Sequence, residues 1–160
     1  MNIQEIYNQA LIDPSLLSSI DIDQLLEDID SETTEYLEGK TLETIYNTLK
    51  LVLINCDYFQ NIDPIFDKLI GYRYIERVCE IRTGVYCRWI NKSTKKLESG
   101  GIIISIKICE DGIQIICKTA FGRHISFRFD ECIVFQKLTV EEQLILLAYE
   151  HIQKETDLNV

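Results

Sequence analysis

Proline is nearly absent from this chain, with two among 160 residues, at positions 14 and 64, so no proline-rich segment exists. Long apolar runs are missing too. A bilayer-spanning helix needs about 20 apolar residues, and the longest candidate, residues 102–108, is interrupted by Ser105 and Lys107. The start, Met1-Asn2-Ile3-Gln4-Glu5, has neither the basic opening nor the apolar core of a secretory leader. These absences give the expectation of an intracellular protein with no membrane partner.

Metal and redox motifs are absent as well. Six cysteines occur at 56, 79, 87, 109, 117 and 132, with no Cys-x-x-Cys and no zinc-ligand spacing. Most lie in apolar strand patterns, where a free cysteine acts as a small hydrophobe in a reducing compartment. No metal or other cofactor is expected. The two histidines, His124 and His151, have no nucleophile motif nearby, and Gly-x-Ser-x-Gly, P-loop and His-Glu-x-x-His patterns are all missing. Folding can also assemble a Cys-His pair from distant positions; for Cys117 with His124, as an example, the alternation described below sets the two on opposite strand faces. The expectation is no catalytic site and no enzyme.

Against these absences stand a hydrophobic content of 46% and a charged content of 26%, ordinary for a folded globule. Isoleucine supplies 26 residues, a bias that suits AT-rich coding. The net charge of −10 is unevenly spread. Residues 1–71 carry 14 acidic and 3 basic side chains, residues 72–137 carry 7 and 12, and residues 138–160 carry 5 and 1. Such segregation marks either an interaction surface or opposite signs docking within the chain.

Residues 1–71 read as helices. Ile3, Ile6, Tyr7, Ala10 and Leu11 recur at helical spacing, and Pro14 ends that stripe. Asp21 is placed to cap a second helix carrying Ile22, Leu25, Leu26 and Ile29. The clearest helix covers residues 41–56, with Leu42, Ile45, Tyr46, Leu49, Val52, Leu53 and Cys56 on one face. Asp63-Pro64 opens a short one that Gly71 stops.

Residues 72–137 read as strands. Val85, Cys87 and Trp89 alternate with Tyr86, Arg88 and Ile90, and a polar loop, 92–99, leads into Gly100-Gly101. Asp111-Gly112 between apolar runs signals a tight hairpin. With Glu110 opposite Ile113, the core face collects Ile102, Ile104, Ile106, Ile108, Ile113, Ile115 and Cys117. The other face collects Ser105, Lys107, Cys109, Gln114 and Lys118. A three-residue loop, 120–122, puts Ile125, Phe127 and Phe129 inward, whereas a two-residue turn would put His124, Ser126 and Arg128 there. A last strand covers 132–136, and Thr139 with Glu142 forms a capping box for a terminal helix expected to pack on the sheet.

The residues Arg82-Thr83-Gly84-Val85-Tyr86-Cys87-Arg88-Trp89, Gly100-Gly101-Ile102-Ile103, 112–117 and 127–130 resemble a small SH3-like barrel of the Tudor or KOW kind. Residues 84–91, Ser99-Gly100-Gly101 and 133–138 are similar to small proteins of nucleocytoplasmic large DNA viruses. That second likeness implies a viral origin, a virion or assembly role, and a place in the host cytoplasm or the virion.

The reading is an α+β protein: an acidic helical region (1–71), a five-stranded antiparallel SH3-like barrel (72–137) and a C-terminal helix (138–160). Its expected work is protein interaction or self-assembly without chemistry. The alternative is nucleic-acid binding by a basic face drawn from Arg88, Lys92, Lys95, Lys96, Lys107, Lys118, Arg123 and Arg128. Tyr86, Trp89 and Phe121 are the candidate aromatic contacts, with Phe127 a further wall for a methyl-ammonium cage.

Overall fold

The computed structural model describes residues 3–13 and 35–159. Contacts divide the chain into two units. One takes the residues up to Ile45 together with those from Leu138 onward, and the other is Tyr46–Lys137. The helices past Ile45 therefore group with the sheet, although their charge belongs to the acidic segment.

In the first unit, α1 (Ile3–Ile12) packs on the C-terminal helix α4 (Val140–Leu158), joined by a 3-10 turn at Glu35–Leu37. Ala10 and Leu37 are buried there, as are Leu144, Ile145, Leu146 and Ala148 of α4, whereas Leu11 is exposed. Thr139 and Glu142 form the expected capping box. The Thr139 N–H donates to Glu142 Oε1 at 3.0 Å and the Glu142 N–H to Thr139 Oγ1 at 3.2 Å. Glu142 is fully buried, a costly place for a carboxylate unless its oxygens are used; its second oxygen accepts from the Tyr36 hydroxyl at 2.8 Å. Tyr7 donates to Gln143 at 2.7 Å, tying α1 to α4. Pro14 and the helix read at Ile22 to Ile29 fall outside the described residues.

The second unit holds most of α2 (Leu42–Cys56), α3 (Asp63–Lys68) and six strands: β1 (Tyr72–Ile75), β2 (Tyr86–Asn91), β3 (Gly101–Cys109), β4 (Gly112–Lys118), β5 (His124–Arg128) and β6 (Cys132–Lys137). They form one antiparallel sheet ordered β1-β6-β2-β3-β4-β5. The expectation of a closed five-stranded barrel is corrected here: there are six strands, and the sheet is open at β1 and β5. The extra strand is only four residues long and pairs with β6, Arg73 facing Gln136 63 positions later. No local turn announces such a pairing. At α3, Asp63 is the first helical residue rather than the cap; Ile62 occupies that place and Asn61 Oδ1 accepts from the Asp63 N–H.

One sheet face builds the core from Ile75, Cys87, Trp89, Ile103, Ile115, Cys117, Phe127, Cys132 and Val134. Its opposite face, over β1, β6 and β2, is covered by Leu49 and Leu53 of α2 and by Leu69, just past α3, against Ile90 and Phe135.

The long hairpin departs from its expected register. Cys109 pairs with Gly112, Ile108 with Ile113 and Ile106 with Ile115, so the turn residues are Glu110 and Asp111. Sliding the pairing by two positions leaves every side chain on its face. A bulge between Ile103 and Ser105 does change faces. Ile103 is fully buried, while Ile102 and Ile104 are 44% and 42% exposed, reversing their expected core placement. The three-residue β4–β5 loop stands as read: the Thr119 N–H donates to Arg123 O at 2.8 Å and Gly122 has φ +79°. Ile125 pairs with Cys117 and Phe127 with Ile115.

A buried polar cluster closes one end of the core. Arg73 donates to Glu80 O at 2.6 Å and to Gln136 Oε1 at 3.2 Å. That oxygen also accepts from the Arg82 N–H, and Gln136 Nε2 donates to Arg82 O. Gln136 thus replaces ladder-type bonds for the irregular segment ahead of β2.

Candidate functional site

The outer face of β3, β4 and β5 is set by strand alternation. Register places Lys107, Gln114 and Arg128 in one cross-strand row, Ser105, Ile116 and Ser126 in the next, and Ile102, Lys118 and His124 in a third. Tyr86 of β2 extends the third row beside Ile102. None of these three strands contains Asp or Glu. Lys107, Lys118, His124 and Arg128 are exposed, and the exposed Ile102 and Ile104 add apolar surface between the cations. Gln114 donates to the Ser126 hydroxyl at 3.1 Å, fixing the centre of the face.

The eight basic side chains selected from sequence fall into two groups. Lys107, Lys118 and Arg128 share this face, with Arg123 on the loop at its edge. Arg88, Lys92, Lys95 and Lys96 belong to β2 and the loop after it, and three of them are engaged locally. Arg88 donates to the carbonyls of Glu98 and Lys68, Lys92 donates to Asp130 O, and the Lys95 ammonium lies 5.6 Å from the centre of the Tyr58 ring. Alternation cannot show this, because a loop's path has no period.

The aromatic candidates separate likewise. Trp89 is 5% exposed and stacks on Phe127, so it belongs to the core and not to a contact surface. Tyr86 points to the other face, half-buried, its hydroxyl donating to Ser99 O at 2.7 Å. Phe121 stands on the β4–β5 loop, 93% exposed. No cage unites Tyr86 with Trp89 and Phe127.

Sequence reasoning missed the partner of Arg128, which pairs with Asp111 at the β3–β4 turn. The guanidinium, bonded to Asp111, holds that carboxyl below the usual carboxylate range. Its only signal was the row Gln114–Arg128, which brings Arg128 near the turn. Both line a recess of about 60 Å³ with Cys109, Gly112, Ile113 and Gln114, large enough for a few waters at most.

Cys117 is fully buried and His124 exposed; Cys117 pairs with Ile125, and His124 with Lys118, so thiol and imidazole lie on opposite faces. Among the described residues no group of three metal-ligating side chains gathers, and no helix is long and apolar enough to cross a membrane. No family model, curated protein or solved structure matches the chain.

Proposed function

We propose that this chain is a non-enzymatic interaction or assembly protein, working as a component of a large DNA virus. The observation carrying the reading is the outer face of β3, β4 and β5, whose strands hold no Asp or Glu and where exposed Ile102 and Ile104 lie among Lys107 and Lys118. The face runs to β5, an edge strand with one unpaired side in this sheet. Mixed apolar and cationic surface beside an open edge fits a protein segment that is acidic and partly apolar. The meander β2-β3-β4-β5, with β6 returned beside β2, supports the SH3-like reading of this sheet.

The test is light scattering on the full chain after size exclusion, alone and with co-purified proteins, at low and moderate salt. Self-association or a defined complex that Lys107→Glu with Lys118→Glu weakens supports the reading. A strict monomer with no captured partner counts against it, as does absence from purified particles.

A second reading uses the same cations for nucleic acid, favoured by exposed Phe121 two positions before Arg123 on the loop that bounds the face. Cations beside exposed aromatics suit a single strand. Titration of DNA and RNA oligonucleotides against salt separates the two: affinity falling steeply with salt belongs to the polyanion, and no binding at low salt removes that reading.

A further inference from the structure

Cys87 on β2 and Cys117 on β4 are not strand neighbours, because β3 runs between them. Their sulfurs nevertheless lie 3.5 Å apart in the core, and both residues are fully buried. Gly101 of β3 makes this contact possible. It pairs with Cys87, and a Cβ on it would come 3.2 Å from the Cys117 Cβ. Without that side chain, two thiols from flanking strands meet over β3. Reaching the disulfide bond length of about 2.05 Å requires the two sulfurs to close by about 1.5 Å from their present 3.5 Å, with β2 and β4 drawn toward each other over Gly101.

From this arrangement we propose that Cys87 and Cys117 form an oxidation site, closed to an intramolecular disulfide by a peroxide. The Cys117 thiolate attacks one peroxide oxygen, and the O–O bond breaks. Cys117 becomes a sulfenic acid, while the departing hydroxide takes up the thiol's proton as water. The Cys87 sulfur then attacks the Cys117 sulfur. The S–O bond breaks, the Cys87 proton goes to the leaving hydroxyl, and a second water departs. Two thiols lose two electrons in all, and one peroxide becomes two waters.

Two features fit the order of events. Contact with the Cys87 S–H lowers the Cys117 thiol and raises that of Cys87, which makes Cys117 the more readily ionised of the two. A peroxide is also small enough to enter a core that transient opening exposes, where a bulky disulfide oxidant is not. Cys132 belongs to the same core cluster, but burial pushes its thiol up to about 11, which disfavours its attack. The bond would staple β2 to β4 and fix the curvature of the sheet between them.

The test uses the full chain with Cys56, Cys79 and Cys109 replaced by serine, exposed to hydrogen peroxide and then unfolded, alkylated and mapped by mass spectrometry. The expected result is a mass loss of two hydrogens, one cross-linked peptide pair holding Cys87 and Cys117, and an alkylated Cys132. The urea midpoint should rise after oxidation and return with dithiothreitol. Should the serine chain fail to fold, the same mapping on the unmodified chain decides the matter. Cys87 and Cys117 both alkylated at peroxide levels that oxidise Cys109 in the unmodified chain would overturn the proposal, as would a cross-link through Cys132.

Discussion

The Trp89 ring on β2 stacks on the Phe127 ring on β5, centroids 4.1 Å apart and planes inclined by 22°. Two strands lie between them in the sheet. At a strand spacing of about 4.8 Å, a flat sheet would hold β2 and β5 roughly 14 Å apart. The sheet must therefore curl toward its core face, and this stack fills the hollow. Removing either ring leaves a cavity that strands fixed by ladder bonds cannot collapse. Phe127→Ala should cost about 3–5 kcal/mol, read as a fall in the urea midpoint. Trp89 is the chain's one tryptophan, so its fluorescence reports the transition directly. An unchanged midpoint would refute the stack.

Gln136 makes a second, polar demand on the core. It is fully buried, accepts from Arg73 and the Arg82 N–H, and donates to Arg82 O. Gln136→Leu preserves volume but takes those partners away, at about 1–3 kcal/mol for each group left unsatisfied. A loss of at least about 2 kcal/mol is expected in denaturant unfolding, with hydrogen exchange rising first in residues 82–85. A neutral result would mean that water replaces the amide.

Gly100 has φ +86°, and a Cβ there would lie 1.9 Å from Cys87 O. Gly122 also has positive φ, +79°, but nothing within 4 Å of a Cβ. Gly122→Ala should cost only the left-handed conformation, about 1–2 kcal/mol. Gly100→Ala must also separate β2 from β3, and should abolish the folded signal in circular dichroism and size exclusion. Equal behaviour of the two variants would contradict the close approach.

The ion pair at the β3–β4 turn gives a pH signature. The Arg128 guanidinium lowers the Asp111 carboxyl in the folded chain. A depressed folded value means that the contribution is present above the ordinary carboxylate range near pH 4. It is lost as pH falls through the lower folded value. Both groups are exposed, so salt screens the effect. An NMR titration should place Asp111 below an ordinary aspartate, and Arg128→Gln should return it upward. If Arg128→Gln leaves the midpoint unmoved, the pair does not exist in solution.

For the outer face, Lys107→Glu with Lys118→Glu should weaken self-association or partner binding at least tenfold, about 1.4 kcal/mol. The matched control, Lys92→Glu with Lys96→Glu on the β2–β3 loop, should change it little. Light scattering and titration calorimetry read both. The reverse ranking would move the site to the loop.

Much of this was legible locally. The β4–β5 loop length followed from Ile125 and Phe127 needing one face, and the α4 start from Thr139 and Glu142. Lys107 and Lys118 shared a face by alternation alone, which the hairpin's two-position slide could not alter. What alternation cannot carry is a bulge: one extra residue near Ile104 sent Ile103 inward and Ile102 outward, turning expected core into exposed surface. The split of Arg88, Lys92 and Lys95 from the other cations was equally hidden, since Arg88 and Lys92 meet remote carbonyls and Lys95 the Tyr58 ring.

The sequence by itself determined an α+β chain, the inward set of β5, the cap of α4 and the separation of Cys117 from His124, because each depends on periods of a few residues. Only the tertiary structure decided that β1 joins β6, that the sheet stays open, that Trp89 meets Phe127 and that Cys87 meets Cys117. Those contacts join residues dozens of positions apart, where chain order imposes no geometry and packing alone selects the partner.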